Sequence, residues 1–235
     1  MTESATIQRP NAGSTFAKPP VILDTQHQLD SITADKVVYP DPVPPTRVLM
    51  LDIETLALGA RPVITQIALL GYDLEEDTLL DSRHVQYYPV DPQLQLIPPR
   101  QIMASTIAWW MTQPDEARER FEFSTSQDFQ DLPALARSLI MAFNELTQNG
   151  TIEYELVAQH PQFDVVAVET LLEELGFEKP WRHDRVYDLA TKLKDAGINR
   201  KNVPTPKGFI PHVAFWDARW QIQQYLAAKQ AIASR

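Results

Sequence analysis

Val48-Leu49-Met50-Leu51-Asp52-Ile53-Glu54-Thr55 opens on four consecutive apolar residues and turns acidic at its end. A short apolar run of this kind reads as a strand buried on both faces. Side chains two apart on a strand point to the same side, so Asp52 and Glu54 aim together from its end. Two close carboxylates repel, and burial deepens that cost. A divalent cation relieves it, and Mg²⁺ and Mn²⁺ favour hard oxygen ligands. Taken alone, the same letters also fit a strand end carrying two solvated acids.

Outward from this run the pattern is that of an α/β domain. Ile64 to Tyr72 reads as a second strand and Val85 to Val90 as a third, closing a meander. Apolar residues at helical spacing predict helices over Pro99 to Met111 and Leu132 to Leu146, the latter ended by Asn149-Gly150. Leu156-Val157-Ala158 predicts a fourth strand, Phe163 to Leu175 a helix with Gly176 at its end, and Val186-Tyr187-Asp188 a fifth strand. A short helix over Leu189 to Ala196, a loop from Gly197 to Pro211 and a last helix from His212 to Ala231 complete the order. Trp216 and Trp220, four apart on that last helix, are expected in the core. Residues 1–45 differ, holding 7 of the 19 prolines, which disfavours helix and central strand alike. They read as a surface extension, or as a docking arm for a partner through Val21-Ile22-Leu23 and Val37-Val38-Tyr39, leaving 46–235 as the domain.

Composition removes several chemistries. With no cysteine among 235 residues there is no disulfide, thiolate metal site or cysteine nucleophile, so a metal must take oxygen or imidazole ligands. The 7 glycines never lie closer than 11 residues apart, which excludes the Gly-rich fingerprints of dinucleotide and P-loop sites. No apolar leader or stretch of membrane-spanning length occurs, and the expectation is a soluble cytoplasmic protein that does not engage a membrane.

Two further acidic pieces follow the first. Asp164, in His160-Pro161-Gln162-Phe163-Asp164, starts the helix after the fourth strand, where an acid also serves merely as a cap. His212-Val213-Ala214-Phe215-Trp216-Asp217-Ala218 sets a histidine and an acid five apart. On a helix those two would point about 140° apart, so they converge only if the helix begins between them. Pro211 and the loop before it favour that arrangement.

Asp52-x-Glu54-Thr55, Phe163-Asp164 and His212-x₄-Asp217-Ala218, in this order and at these separations, resemble the DEDDh (DnaQ-like) 3'-5' exonucleases of the RNase H-like superfamily. The likeness spans about Arg47 to Ala231. The segment Thr106-Ile107-Ala108-Trp109-Trp110-Met111-Thr112-Gln113 looks like the phage exonuclease A branch and a related bacterial exoribonuclease group. The resemblance implies a five-stranded mixed sheet, its first three strands antiparallel, flanked by helices. It implies that Asp52, Glu54, Asp164 and Asp217 hold two Mg²⁺ or Mn²⁺ ions, with His212 as general base. The substrate would be single-stranded DNA or RNA, cut from its 3' end to nucleoside 5'-monophosphates. Thr55 and Leu56 stand where the family meets the terminal nucleotide, with Leu56 as a base wedge, although Thr55-Leu56-Ala57 departs from the commoner Thr-Thr-Gly. The lead His160-Pro161-Gln162 also departs from the usual one, and Phe163 joins the substrate contacts. Trp109 and Trp110 project about 100° apart on a helix, so at most one faces the core and the other is left to stack on a base.

Charge is segregated. Residues 1–180 carry 11 Lys/Arg against 27 Asp/Glu, whereas 181–235 carry 10 against 4. Arg182, Arg185, Lys192, Lys194, Arg200, Lys201 and Lys207 lead up to His212 and suggest a phosphate-tracking surface as well as a merely solvated one. The formal net charge of -10 disfavours an electrostatic coat protein but leaves a metal-dependent nuclease allowed. A non-catalytic binding module of the same fold and a polymerase proofreading subunit are the competing readings. Several relatives dimerise, so a homodimer is also expected from the resemblance.

Overall fold

The computed structural model describes residues 43–80, 86–96, 99–119 and 131–235. Its strands are β1 (Arg47–Thr55), β2 (Ile64–Asp73), β3 (Thr78–Leu79), β4 (Gln86–Pro89), β5 (Tyr154–Ala158) and β6 (Val186–Asp188). The helices are α1 (Ala104–Trp110), α2 (Asp115–Glu119), α3 (Leu132–Leu146), α4 (Asp164–Glu174), α5 (Leu189–Ala196) and α6 (Ala214–Ala233).

These strands make one mixed sheet in the order β3-β2-β1-β5-β6, with β4 also on β2. β3 pairs with Tyr72 and Asp73 while β4 pairs with Gln66 to Leu69. Both occupy the edge of β2 away from β1, so the sheet has five strand positions, the outermost split in two. β1 runs antiparallel to β2 and parallel to β5, and β5 runs parallel to β6. The expected five-stranded α/β sheet is therefore present, and the added detail is the short β3.

Alternation along β1 builds two cores. Leu49, Leu51 and Ile53 face α3 and α4, packing with Leu135, Leu139, Phe143, Val168 and Leu172. Val48 and Met50 face the other way, against Leu189, Leu193, Ala214, Ala218 and Ile222 of α5 and α6. α3 is held at its start by Asp131, whose carboxylate accepts from the Ala134 N–H at 2.6 Å. α5 begins on an equivalent cap, Asp188 to the Ala190 N–H at 2.8 Å, and ends on Gly197 at φ 72.

α3, α5 and β6 have the bounds expected from periodicity, and the other elements depart from theirs at one or both ends. The helix expected from Pro99 begins only at Ala104. The preceding backbone bonds elsewhere, Gln101 N–H to Arg61 O, Val63 N–H to Gln101 O and Met103 N–H to Leu56 O, all at 2.9 Å. The last helix starts at Ala214 rather than His212, whose φ of 60 is left-handed. β5 begins two residues before the apolar triplet, and α4 loses one residue at each end of its expected span. The expected third strand is described from Gln86 on, and the proline-rich extension lies outside the described residues except for 43–45. No helix among the described residues is long and apolar enough to cross a membrane.

Candidate active site

The parity that builds the cores also delivers the acids. Asp52 and Glu54 continue the Val48, Met50 series, so they emerge on the face covered by α6. The β1–β2 register slips between Glu54 and Thr55, a bulge at the point where the strand leaves the sheet. β5 runs parallel to β1, so the chain leaves both strands at the same end of the sheet. There His160 O accepts from the Phe163 and Asp164 N–H groups at 2.8 and 3.1 Å, folding the turn that starts α4. The His160 N–H returns a bond to Asp164 Oδ2 at 3.3 Å.

His212 and Asp217 converge because the helix begins between them. The His212 N–H donates to Asp217 Oδ2 at 2.8 Å, which the left-handed backbone of His212 permits. Glu54, His212 and Asp217 each offer one ligand atom, and these atoms lie within 4.8 Å of one another. The imidazole packs edge-on to the Trp109 ring, with centroids 4.7 Å apart, and lies 6.2 Å from the Trp110 ring.

Burial suppresses the ionisation of all four carboxylates, and at Asp52 and Glu54 the neighbouring acids add to it. Burial first, then the charges of Asp164, Asp217 and Glu54, push Asp52 well above the usual carboxylate range. Burial, then Asp217 and Asp164, does the same to Glu54. Burial pushes Asp164 up to about 7, although backbone N–H groups of His160, Asp164 and Ile53 oppose it. It pushes Asp217 up to about 6, opposed by N–H groups of His212 and Val213 and by the Arg200 charge. Burial also lowers His212, which favours the neutral imidazole. Among the described residues no lysine or arginine forms an ion pair with any of the four acids. A set of four carboxylates with no ion-paired lysine or arginine among the described residues, and only the Arg200 charge acting on Asp217 from a distance, fits a hard divalent cation.

The two tryptophans divide as expected on a helix. Trp110 is 2% exposed and its Nε1–H donates to Thr55 O at 2.9 Å, pinning the end of β1. Trp109 is 43% exposed. It lines an open groove of about 450 Å³ together with Ile53, Glu54, Thr55, Leu58, Thr106 and Phe163. Leu56 does not reach that groove. It is 1% exposed and packs with Val63, Trp110 and Ala117, whereas Leu58 is 68% exposed and lines the groove. The residue expected as a wedge is thus a core residue, because the bulge after Glu54 turns it inward.

Two glutamines were not singled out from the sequence. Gln221, one turn beyond Asp217, donates from Nε2 to Asp52 Oδ1 at 2.7 Å. Gln66, cross-strand from Glu54, accepts the Ala214 N–H at 3.1 Å and so caps α6, which lacks a side-chain cap of its own. The signal for Gln221 was a polar residue on the helix stripe otherwise formed by Ala214, Ala218, Ile222 and Tyr225.

Trp216 and Trp220 are half-buried rather than core residues. Trp220 Nε1–H donates to Val203 O at 3.1 Å and its ring packs on Phe209, so it fastens the loop that carries His212. The basic stretch is also less uniform than its sequence suggests. Arg182 pairs with Asp184, Arg185 with Glu153 and Lys192 with Glu155. Glu153 precedes β5, so Arg185 sits at the end of that strand opposite the acids.

Residues 47–228 match the family model of the Rv2179c-like 3'-5' exoribonuclease domain. No match was found among the curated proteins. Among solved structures the chain is similar to E. coli exonuclease I in complex with a dT13 oligonucleotide, at 15% identity and a TM-score of 0.48. That match covers 80% of this chain and 41% of the other, so the chain spans less than half of exonuclease I. It is also similar to the nuclease domain of 3'hExo, a DEDDh family member bound to rAMP, at 12% identity and a TM-score of 0.48, covering 79% and 92% of the two chains.

Proposed function

The chain belongs to the Rv2179c-like 3'-5' exoribonuclease domain family, and from that premise we propose that it removes nucleoside 5'-monophosphates from single-stranded RNA 3' ends. The observation carrying the site assignment is the gathering of Asp52, Glu54, Asp164 and Asp217 with His212 beside an apolar groove. The four carboxylates would hold two divalent cations, Mg²⁺ or Mn²⁺. Bound there, such cations supply Lewis-acid polarisation of a phosphodiester, a lowered pKa for water and charge neutralisation on the departing oxygen.

His212 accepts the proton of the attacking water on a ring nitrogen. Its lowered pKa keeps that nitrogen unprotonated at neutral pH, and the Trp109 ring holds the imidazole over Glu54 and Asp217. Trp109, Leu58 and Phe163 receive the terminal base in the groove, with stacking worth about 1–3 kcal/mol. Thr55 closes the inner end of the groove, its carbonyl fixed by Trp110. Arg200, Lys201 and Lys207 are exposed on the loop before His212 and serve to track phosphates. The lack of cysteine supports a cytoplasmic location. The family resemblance supports a homodimer, and the apolar clusters of residues 1–45 support a docking arm for a protein partner.

A 3'-labelled RNA oligonucleotide with Mn²⁺, beside a DNA oligonucleotide of matched sequence, tests this reading. Wild-type protein should release labelled mononucleotide, faster from RNA. Asp52→Asn should abolish release. His212→Ala should lose about 10²- to 10⁴-fold in turnover while still binding Mn²⁺. Intact RNA, or Asp52→Asn matching wild type, would overturn the nuclease reading and favour a binding module. Equal rates on DNA would overturn the RNA preference. Stable co-purification with a polymerase would point to a proofreading subunit instead.

A further inference from the structure

Gln66, Gln221 and Gln224 are all buried, and each has an amide atom without a hydrogen-bond partner among the described residues. Gln221 stands apart from Gln224 in what its other amide atom does. Its side chain is 6% exposed, its Nε2–H reaches Asp52 Oδ1 at 2.7 Å, and its Oε1 is buried and unpartnered. A methionine or leucine would fill this stripe of α6 without burying an unmatched acceptor, so packing gives no reason for an amide here. We propose that Gln221 is a positioning residue for Asp52 and sets the affinity of the site for divalent cations.

The inference rests on the reading of Asp52 as a metal ligand. A single N–H donor fixes the rotation of the carboxylate, committing Oδ1 and presenting Oδ2. The donor is neutral, which matters. A lysine or arginine at the same distance would neutralise Asp52 and compete with the cation, whereas an amide orients the carboxylate and leaves its charge available. Gln221 also lies one turn beyond Asp217 on α6, so one helix carries an acid and the clamp for an acid on β1. Gln66 supports the same seam by holding the first N–H of α6 from β2.

The test titrates Mn²⁺ into the full chain without nucleic acid, reading free Mn²⁺ by electron paramagnetic resonance, and then measures RNA cleavage against Mn²⁺ concentration. Gln221→Met should weaken Mn²⁺ binding about 10- to 100-fold and raise the Mn²⁺ needed for half-maximal rate by a similar factor. The KM for RNA at saturating Mn²⁺ should stay within about twofold, since this residue does not line the groove. Gln221→Asn, which withdraws the amide by one methylene, should show the same direction and guards against a folding failure of the first variant. Gln224→Met, on the same helix and equally buried, should leave Mn²⁺ binding unchanged. Wild-type Mn²⁺ affinity in Gln221→Met alongside its loss in Asp52→Asn would overturn the inference alone. Equal weakening in Gln224→Met would also overturn it, as a general effect on α6. Asp52→Asn binding Mn²⁺ and cleaving RNA like wild type would remove the metal-site reading beneath it.

Discussion

Leu56 and Leu58 show how two residues of one type, two positions apart, take different work. Beyond the bulge at the end of β1 the chain leaves the sheet, and Leu56 lies in a small cluster with Trp110 while Leu58 lines the groove. Leu56→Ala should therefore cost about 2–5 kcal/mol of stability, the range for truncating a buried leucine. Leu58→Ala should change stability by less than about 0.5 kcal/mol and act on substrate instead, raising the KM for RNA several-fold. Denaturant unfolding and steady-state kinetics on the two variants separate the effects. Loss of RNA affinity in Leu56→Ala at full stability would restore Leu56 as the wedge. The family resemblance favoured Leu56, which directly follows Asp52-x-Glu54-Thr55. Register slips come from cross-strand pairing with β2, which the local letters do not carry.

At the scale of elements, legibility follows the range of the interactions. α3, α5 and β6 have the bounds their own periodicity and caps dictate, because those signals are local. The segment before α1 does not, since its backbone partners lie about forty residues upstream in the 56–63 stretch. The two acids of β1 were legible by strand parity; the helix expected from His212 starts only at Ala214, the later start that convergence of His212 and Asp217 requires. Gln66 was not legible, as its role depends on a helix end 148 residues away. The loop before His212 is fastened to α6 by Trp220, through Val203 O and the Phe209 ring. Trp220→Phe keeps an aromatic ring beside Phe209 but removes the hydrogen bond and part of the ring contact, a loss of at least about 1 kcal/mol and of at least roughly 2–4 °C in Tm. Hydrogen exchange should quicken in residues 200–213, and kcat should fall more than Mn²⁺ affinity, because His212 rides on that loop. Unchanged exchange there, or an unchanged kcat, would detach the loop from the chemistry.

Over the whole molecule, the acid cluster sets a charge conflict that protonation relieves at low pH and that a bound cation would relieve at high pH. In the unfolded chain Asp164 and Asp217 ionise near 3.8, whereas burial holds them protonated up to about 7 and about 6 in the folded one. Raised carboxylates of this kind contribute stability that is full below about pH 4 and is lost as pH rises through 6 and 7. Asp52 and Glu54 are shifted the same way. His212 works in the opposite sense. Its lowered pKa withdraws stability as pH falls below about 6.5, but it is one half-buried group against four acids. With a chelator present, Tm should therefore decline between pH 5 and pH 8. Divalent cations bind the ionised acids, so saturating Mn²⁺ should raise Tm by several degrees at pH 8 and by much less at pH 5. Asp164→Asn, which carries no charge to bury, should flatten the chelated profile and shrink the gain from Mn²⁺. Differential scanning fluorimetry across this range, with and without Mn²⁺, reads all three. A chelated Tm that is level or rising from pH 5 to pH 8, or a Mn²⁺ gain equal at both ends, would mean the four acids do not share one buried, cation-seeking site.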